Sequence, residues 1–285
     1  MKNIFYFQNI KKNILSLLEL ISWFVKQCLR ENFINYNKYM VQDEPLYILG
    51  NGPSLTEFIK TAKEPKRICV VNFSGTSSEF KLLRPQYYIL LDPYFFKDPL
   101  KEQKLNQLFN ALKEVNWNMF LYIPFYARKS FFNEFKGNPF IKIIPFHTNV
   151  LTENMTFVNL RNFIFSKGLA APRLQNVIVA AIFNMINKGY KIIYLYGVDH
   201  SWTKNLIVNK DNIVCLKDIH YYDNNSITYT PWYKNDNETY KMHEVLRDLA
   251  NMFISYHTLN GYAQYRHVQI INKAPDSFID AFKKE

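Results

Sequence analysis

Residues 46–55, LYILGNGPSL, carry a short apolar run straight into a turn flanked by glycines and stopped by proline. Such a run delivers its last residues to the carboxyl edge of a sheet, where Gly50 and Gly52 permit positive φ and close backbone approach to a ligand. Asn51 is then the side chain offered at that edge. Pro53 presets φ at the first helical position, and Ser54 or Thr56 can take the free N–H groups of a helix start, a place that attracts phosphate. The same turn also serves as a plain strand-to-helix connection. It lacks the third glycine of a dinucleotide fingerprint and the Gly-Lys-Ser/Thr of a P-loop, so neither NAD nor ATP binding follows. Other polar residues end apolar runs in the same manner: Asn72 in VVNFSG, Asp92 in LLDPYFF, and Asp199 with His200 in LYGVDHSW. Asn176, near the start of a helix expected over 173–188, is counted with them as a nucleotide-binding candidate.

These residues need a sheet to bring them together. From Pro45 onward, strand-like runs near 46–50, 67–72, 86–91, 118–123, 140–145, 191–197 and 267–271 alternate with helix-like runs near 54–62, 100–115, 173–188, 239–254 and 275–283. That alternation predicts a doubly wound, mostly parallel α/β sheet with helices on both faces. Its ligands bind at the carboxyl ends of the strands, near a topological switch point. The expected organisation is a single Rossmann-like nucleotide-binding domain over 41–285, preceded by an amphipathic helical segment over 1–40. Residues 200–240 are Asn-rich, aromatic and weakly periodic, the composition of a lid or of a surface excursion. Tyr221, Tyr222, Tyr229, Trp232 and Tyr233 would be costly to expose together, which favours a lid closing over a ligand.

Composition sets the outer bounds. The 285 residues, 48% hydrophobic and 17% aromatic, can bury a substantial core, which excludes a disordered chain. Cys28, Cys69 and Cys215 lie far apart with no paired spacing, so neither a disulfide framework nor a zinc site is indicated. The net charge of +11 calls for an anionic partner. Nucleic acid ranks behind a phosphorylated small molecule or an anionic membrane surface, because the lysines are scattered and no nucleic-acid motif is present.

The segment ILSLLELISWFV, residues 14–25, is too short to span a bilayer, and no small-residue cleavage site follows it. Ser16, Glu19 and Ser22 form a narrow polar stripe on an otherwise apolar helix flanked by Lys11, Lys12, Lys26 and Arg30. Such a helix lies in a membrane interface or packs on its own domain or on a second subunit in a homo-oligomer. In the membrane arrangement the stripe faces water, while Leu17, Leu20, Trp23 and Phe24 enter lipid.

In order along residues 45–245, the turn GNGPSL, Asn72, Asp92-Pro93, the run GYKIIYLYGVD and the segment YKNDNETYKMH ending at His243 resemble bacterial CMP-sialic-acid-dependent sialyltransferases of the lipooligosaccharide type. The chain also resembles a wider set of bacterial surface-polysaccharide proteins sharing GNGPSL, including motility-associated glycosylation factors. The resemblance implies an inverting, metal-independent glycosyltransferase that uses a CMP-sugar, without a further cofactor, to build lipopolysaccharide or capsule. It implies a glycan or glycolipid acceptor, no nucleic acid, and a cytoplasmic location at the inner face of the membrane.

Carried over by position, the resemblance gives Asn51 the phosphate region and Asn72 the ribose or phosphate. Asp92 stands where those transferases have Asn before Pro. His243 matches their general base; read alone, it is a surface histidine on a helix. Their paired phosphate-binding tyrosines have no match after GVD, where His200, Ser201 and Trp202 stand, and Tyr221 and Tyr222 are catalytic candidates by proximity. The residue types suit the chemistry: a histidine base near neutral pH for the acceptor hydroxyl, and Tyr or His donors for a departing phosphate. Another activated sugar, a pyrophosphoryl donor, or a non-enzymatic assembly factor remains compatible with the same scaffold.

Overall fold

The computed structural model describes residues 2–61, 67–97, 102–127, 129–220, 226–235 and 238–285. Eight strands form one sheet: β1 (Leu46–Leu49), β2 (Ile68–Val71), β3 (Tyr87–Ile89), β4 (Met119–Pro124), β5 (Ile141–Phe146), β6 (Ile192–Tyr196), β12 (Gln269–Asn272) and β13 (Lys283–Lys284). Their spatial order is β13-β12-β6-β1-β2-β3-β4-β5, and every adjoining pair is parallel. The chain leaves β1 in one direction for β2 to β5 and later returns on its other side as β6, so β1 and β6 flank the switch point.

Parallel strands covered on both faces are apolar throughout, which is why these runs do not alternate with polar residues. β1 sends Leu46 and Ile48 into one hydrophobic cluster and Leu49 into the other, while β2 divides Cys69 and Val71 from Ile68 and Val70. The first cluster is covered by α7 (Val177–Lys188) and α8 (Met242–Tyr265), the second by α2 (Leu55–Thr61), α4 (Gln103–Lys113) and α5 (Lys129–Glu134). Two further helices are α3 (Phe80–Leu83) and α6 (Val158–Ser166). The result is an α/β fold with a parallel central sheet flanked by helices. α7 is buried around nearly its whole circumference, so its sequence is almost uniformly apolar rather than amphipathic.

Two expectations are corrected. Residues 275–283 are not a helix: Ser277 donates to the Val198 carbonyl at 2.7 Å, the Phe278 N–H donates to the Asp199 carbonyl at 2.9 Å, and the segment ends in β13. The backbone of the β6 turn competes successfully for groups that a helix would have used internally. Within 200–240, where little regular structure was expected, β7 (Leu206–Val208), β8 (Val214–His220) and β9 (Ser226–Pro231) form an antiparallel three-stranded sheet, followed by the ribbon β10 (Tyr233–Asn235) and β11 (Glu238–Thr239).

The helix α1 (Lys2–Arg30) docks on the body through Ser16 and Glu19 of its polar stripe and through Leu20 and Trp23, so these four do not take the places the membrane arrangement gave them, whereas Ser22, Leu17 and Phe24 stay exposed. Ser16 is buried and accepts the Thr156 N–H at 2.9 Å, the Glu19 carboxylate accepts the Thr152 N–H, and Trp23 Nε1 donates to the Leu169 carbonyl at 3.0 Å. Further along, Gln27 accepts from Asn149 at 2.8 Å, and His147 Nδ1 lies 2.6 Å from the buried Glu31 carboxylate. The stripe satisfies backbone groups of the body that would otherwise be buried without partners. No helix among the described residues is long and apolar enough to cross a membrane.

Candidate functional site

The turns after β1, β2 and β6 converge on a cavity of about 380 Å³ at the switch point, lined by Gly50, Asn51, Gly52, Pro53, Asn72, Asn176, Asp199, His200 and Trp202. Most of the strand-end residues named from the sequence therefore do share one space. Asn72 and Asn176 also line an adjoining cavity of about 500 Å³ with Asp92, Tyr126 and Gln175. A third, of about 490 Å³, joins Asp92 and Asn176 to Trp202, Trp232 and Tyr240 and to the α8 residues Val245, Asp248 and Leu249. Asn176 is the hinge of the whole cleft, and its Oδ1 accepts the Ile178 N–H at 2.8 Å as the N-cap of α7. That orientation points the positive end of α7 at the carboxyl edge of the sheet.

The glycines of GNGPSL act differently from the expectation. Neither Gly50 nor Gly52 has a positive φ; the left-handed glycine at this site is Gly197, at +65°, on the opposing turn. A Cβ on Gly50 would stand 2.3 Å from the Gly197 carbonyl oxygen, and one on Gly52 would stand 2.0 Å from Asp199 Oδ2. The missing side chains let the β1 and β6 turns pack directly on each other. Ser54 locks that contact: its hydroxyl donates to Asp199 Oδ2 at 3.0 Å, its N–H lies 3.3 Å from the same oxygen, and the Gly197 N–H donates to its Oγ at 3.1 Å. Pro53 precedes α2 by two residues rather than opening it. Asp199, which lines the cavity, is thus held in place by Ser54.

Asn51 is exposed at the rim, its Oδ1 accepting from the Ser74 hydroxyl at 2.9 Å, which leaves its amide NH₂ end to donate. Asn72 is held in the left-handed region at φ +51°, which Asn tolerates better than most residues. The buried phenol of Tyr88 donates to the Asn72 carbonyl and accepts the Gly75 N–H at 2.9 Å, fixing this conformation. Asn72 Oδ1 is buried with no hydrogen-bond partner among the described residues. Asn72 lines two of the cavities, and an unpartnered buried acceptor is uncommon enough to single this residue out. Asp92 caps the short turn Pro93–Phe96, its Oδ1 accepting the Tyr94 N–H at 2.8 Å.

His200 is also left-handed, at φ +51°, and buried. Its Nε2 lies 2.6 Å from the Tyr256 hydroxyl of α8, and its ring packs on Trp202 with centroids 4.7 Å apart. Burial pushes its pKa down to about 4, so the ring is neutral at pH 7. Left-handed backbone after two strands that flank β1, with Asn72 bonded to buried Tyr88 and His200 to buried Tyr256, marks a preorganised site.

His243 does not line these cavities. It is exposed on the first turn of α8, between Tyr240 and Val245, which do line the outermost one. Tyr221 and Tyr222 lie outside the described residues. The sequence reading missed Ser74, Tyr88, Gln175 and Tyr256; the tyrosines sit in apolar runs and show no periodicity that separates them from core. No protein-family model matches the chain, and no curated protein matches it.

Proposed function

We propose that this chain is an inverting, metal-independent glycosyltransferase that carries a sialic-acid-like sugar from a CMP-activated donor to a bacterial surface glycan. The observation that carries the reading is the switch-point cavity, where the unpartnered Asn72 Oδ1, the rim amide of Asn51 and the amino end of α7 converge at the carboxyl edge of a parallel sheet. An acceptor for a sugar hydroxyl, an amide donor and a helix amino end together suit a nucleoside phosphate. The choice of CMP rests on the resemblance of GNGPSL, Asn72, the GYKIIYLYGVD run and the segment ending at His243 to sialyltransferases.

On this reading the domain is Rossmann-like and the 200–240 excursion is its lid. The acceptor oxygen forms a bond to the anomeric carbon as the bond from that carbon to the CMP phosphate oxygen breaks. The hydroxyl proton goes to His243, and the departing phosphate receives hydrogen bonds from Asn51 and from neutral His200. With the Tyr256 phenol donating to Nε2, the ring proton sits on Nδ1, a donor in the place the family fills with tyrosines. The protein works in the cytoplasm, at the inner face of the membrane.

A second reading, a glycan-binding or assembly factor without turnover, is favoured by one observation: the exposed His243 stands outside the cavities. A donor-hydrolysis screen over a panel of CMP-, UDP- and GDP-sugars separates the two. Release of CMP supports transfer, turnover of a UDP- or GDP-sugar instead reassigns the donor, and no turnover with any donor rejects the enzyme.

A further inference from the structure

The packing of Ser16, Glu19, Leu20 and Trp23 on the body leaves the other side of α1 uncovered. Ile14, Leu17, Leu18, Ile21, Val25 and Leu29 are 46–78% exposed, a contiguous apolar face along one helix. The adjoining α6, whose neighbours Thr156 and Leu169 bond to α1, adds exposed Leu160 and Phe163. Apolar faces of this extent mark an interaction site rather than ordinary surface.

Charge identifies the occupant. Lys11, Lys12, Lys26 and Arg30 are all exposed, and the one acidic residue of α1, Glu19, is turned into the body. At 3.6 residues per turn, Lys11 falls at the edge of the apolar face beside Leu29 and Lys26 on its flank, while Lys12 and Arg30 lie toward the body-facing side. A second copy would set these exposed cations against identical ones with no exposed acid on α1 to neutralise them, whereas an anionic bilayer supplies both the apolar interior and the countercharge. The helix does not meet the length and apolarity needed to cross a membrane, so it lies along the surface.

We propose that α1 docks the protein on an anionic lipid bilayer through Ile14, Leu18, Ile21, Val25 and Leu29, with Lys11 and Lys26 at the headgroups. A consequence follows for the cleft. A cavity of about 330 Å³ beside Ser22 and Lys26 shares Val150, Leu174 and Gln175 with the Asn72–Asp92 cavity, so a groove runs from Lys26 to the switch point. If the transferase reading holds, the acceptor enters from the membrane.

The docking itself is tested without nucleotide. Cys28 is exposed while Cys69 and Cys215 are buried, so an environment-sensitive fluorophore can be placed on Cys28 of the full chain. With vesicles of phosphatidylglycerol and phosphatidylcholine, the expected result is a blue shift, co-sedimentation that weakens with salt, and markedly less binding to phosphatidylcholine alone. The double variant Leu18→Asp, Val25→Asp should bind at least tenfold more weakly. The proposal is overturned if the Cys28 probe reports no change with anionic vesicles, if the double variant binds like the parent, or if sedimentation velocity shows a dimer that Leu18→Asp dissolves. Calorimetry with CMP is independent of every arm, so failure here leaves the nucleotide reading standing, and the reverse.

Discussion

The Asp199 carboxylate reaches across the switch point to Ser54, with Oδ2 accepting the hydroxyl at 3.0 Å and lying 3.3 Å from the backbone N–H. One side chain thereby ties the turn after β6 to the turn after β1. Asp199→Ala leaves the Ser54 groups and the Gly197 turn without that partner, and buried polar groups stranded in this way cost about 1–3 kcal/mol. The expected result is a lower urea midpoint with an unchanged denaturant slope. Gly52→Ala attacks the same contact from the other side, placing a Cβ 2.0 Å from Asp199 Oδ2. It should also destabilise the fold, and a Gly52→Ala midpoint equal to the parent's would show that the turns do not pack as described.

His200 predicts a pH dependence with a definite sign. Its ordinary pKa of 6.5 falls to about 4 through burial, so the unfolded chain binds the proton more tightly. Stability from this group is fully present above pH 6.5 and is lost as pH falls from 6.5 toward 4, by about 3 kcal/mol over the whole interval. Denaturation midpoints measured across that range should fall on acidification. His200→Gln should flatten the His-specific part of the slope; an identical slope in the variant would assign the titration elsewhere.

The proposed role of His243 separates binding from turnover. His243→Ala should leave CMP affinity near the parent value and lower kcat roughly 10²–10⁴-fold, the loss expected for a general base. Since the side chain is exposed and contributes nothing to the cavity walls, a fall in CMP affinity would contradict the assignment as firmly as an unchanged kcat.

Much of the sheet was legible because buried parallel strands are short uninterrupted apolar runs, and LYIL, ICVV and IIYLY each became one. The gathering of Asn51, Asn72, Asp199 and His200 followed from strand ends meeting at one edge. What stayed hidden depended on partners distant in sequence. GNGPSL suggested glycines open to a ligand, whereas Gly50 and Gly52 make room for Gly197 and Asp199, more than 140 residues away. Ser16 and Glu19 turn inward and Ser22 does not, a division that depends on the distant backbone N–H groups of Thr152 and Thr156. Residues 275–283 carried a helix-like pattern that the Val198 and Asp199 carbonyls overrode. The holding of Asn72 by Tyr88 and of His200 by Tyr256 had no local signal at all.

The central claim is that the switch-point cavity binds CMP through Asn72, and calorimetric titration of CMP into the parent and Asn72→Gly tests it most directly. Glycine accepts the left-handed φ of Asn72, so the variant removes the amide without straining the turn. The account predicts measurable binding of CMP in preference to UDP and GDP, weakened roughly tenfold or more when the Asn72 acceptor is lost, as expected for one hydrogen bond to a buried group. CMP that does not bind, or that binds Asn72→Gly as tightly as the parent, would contradict it.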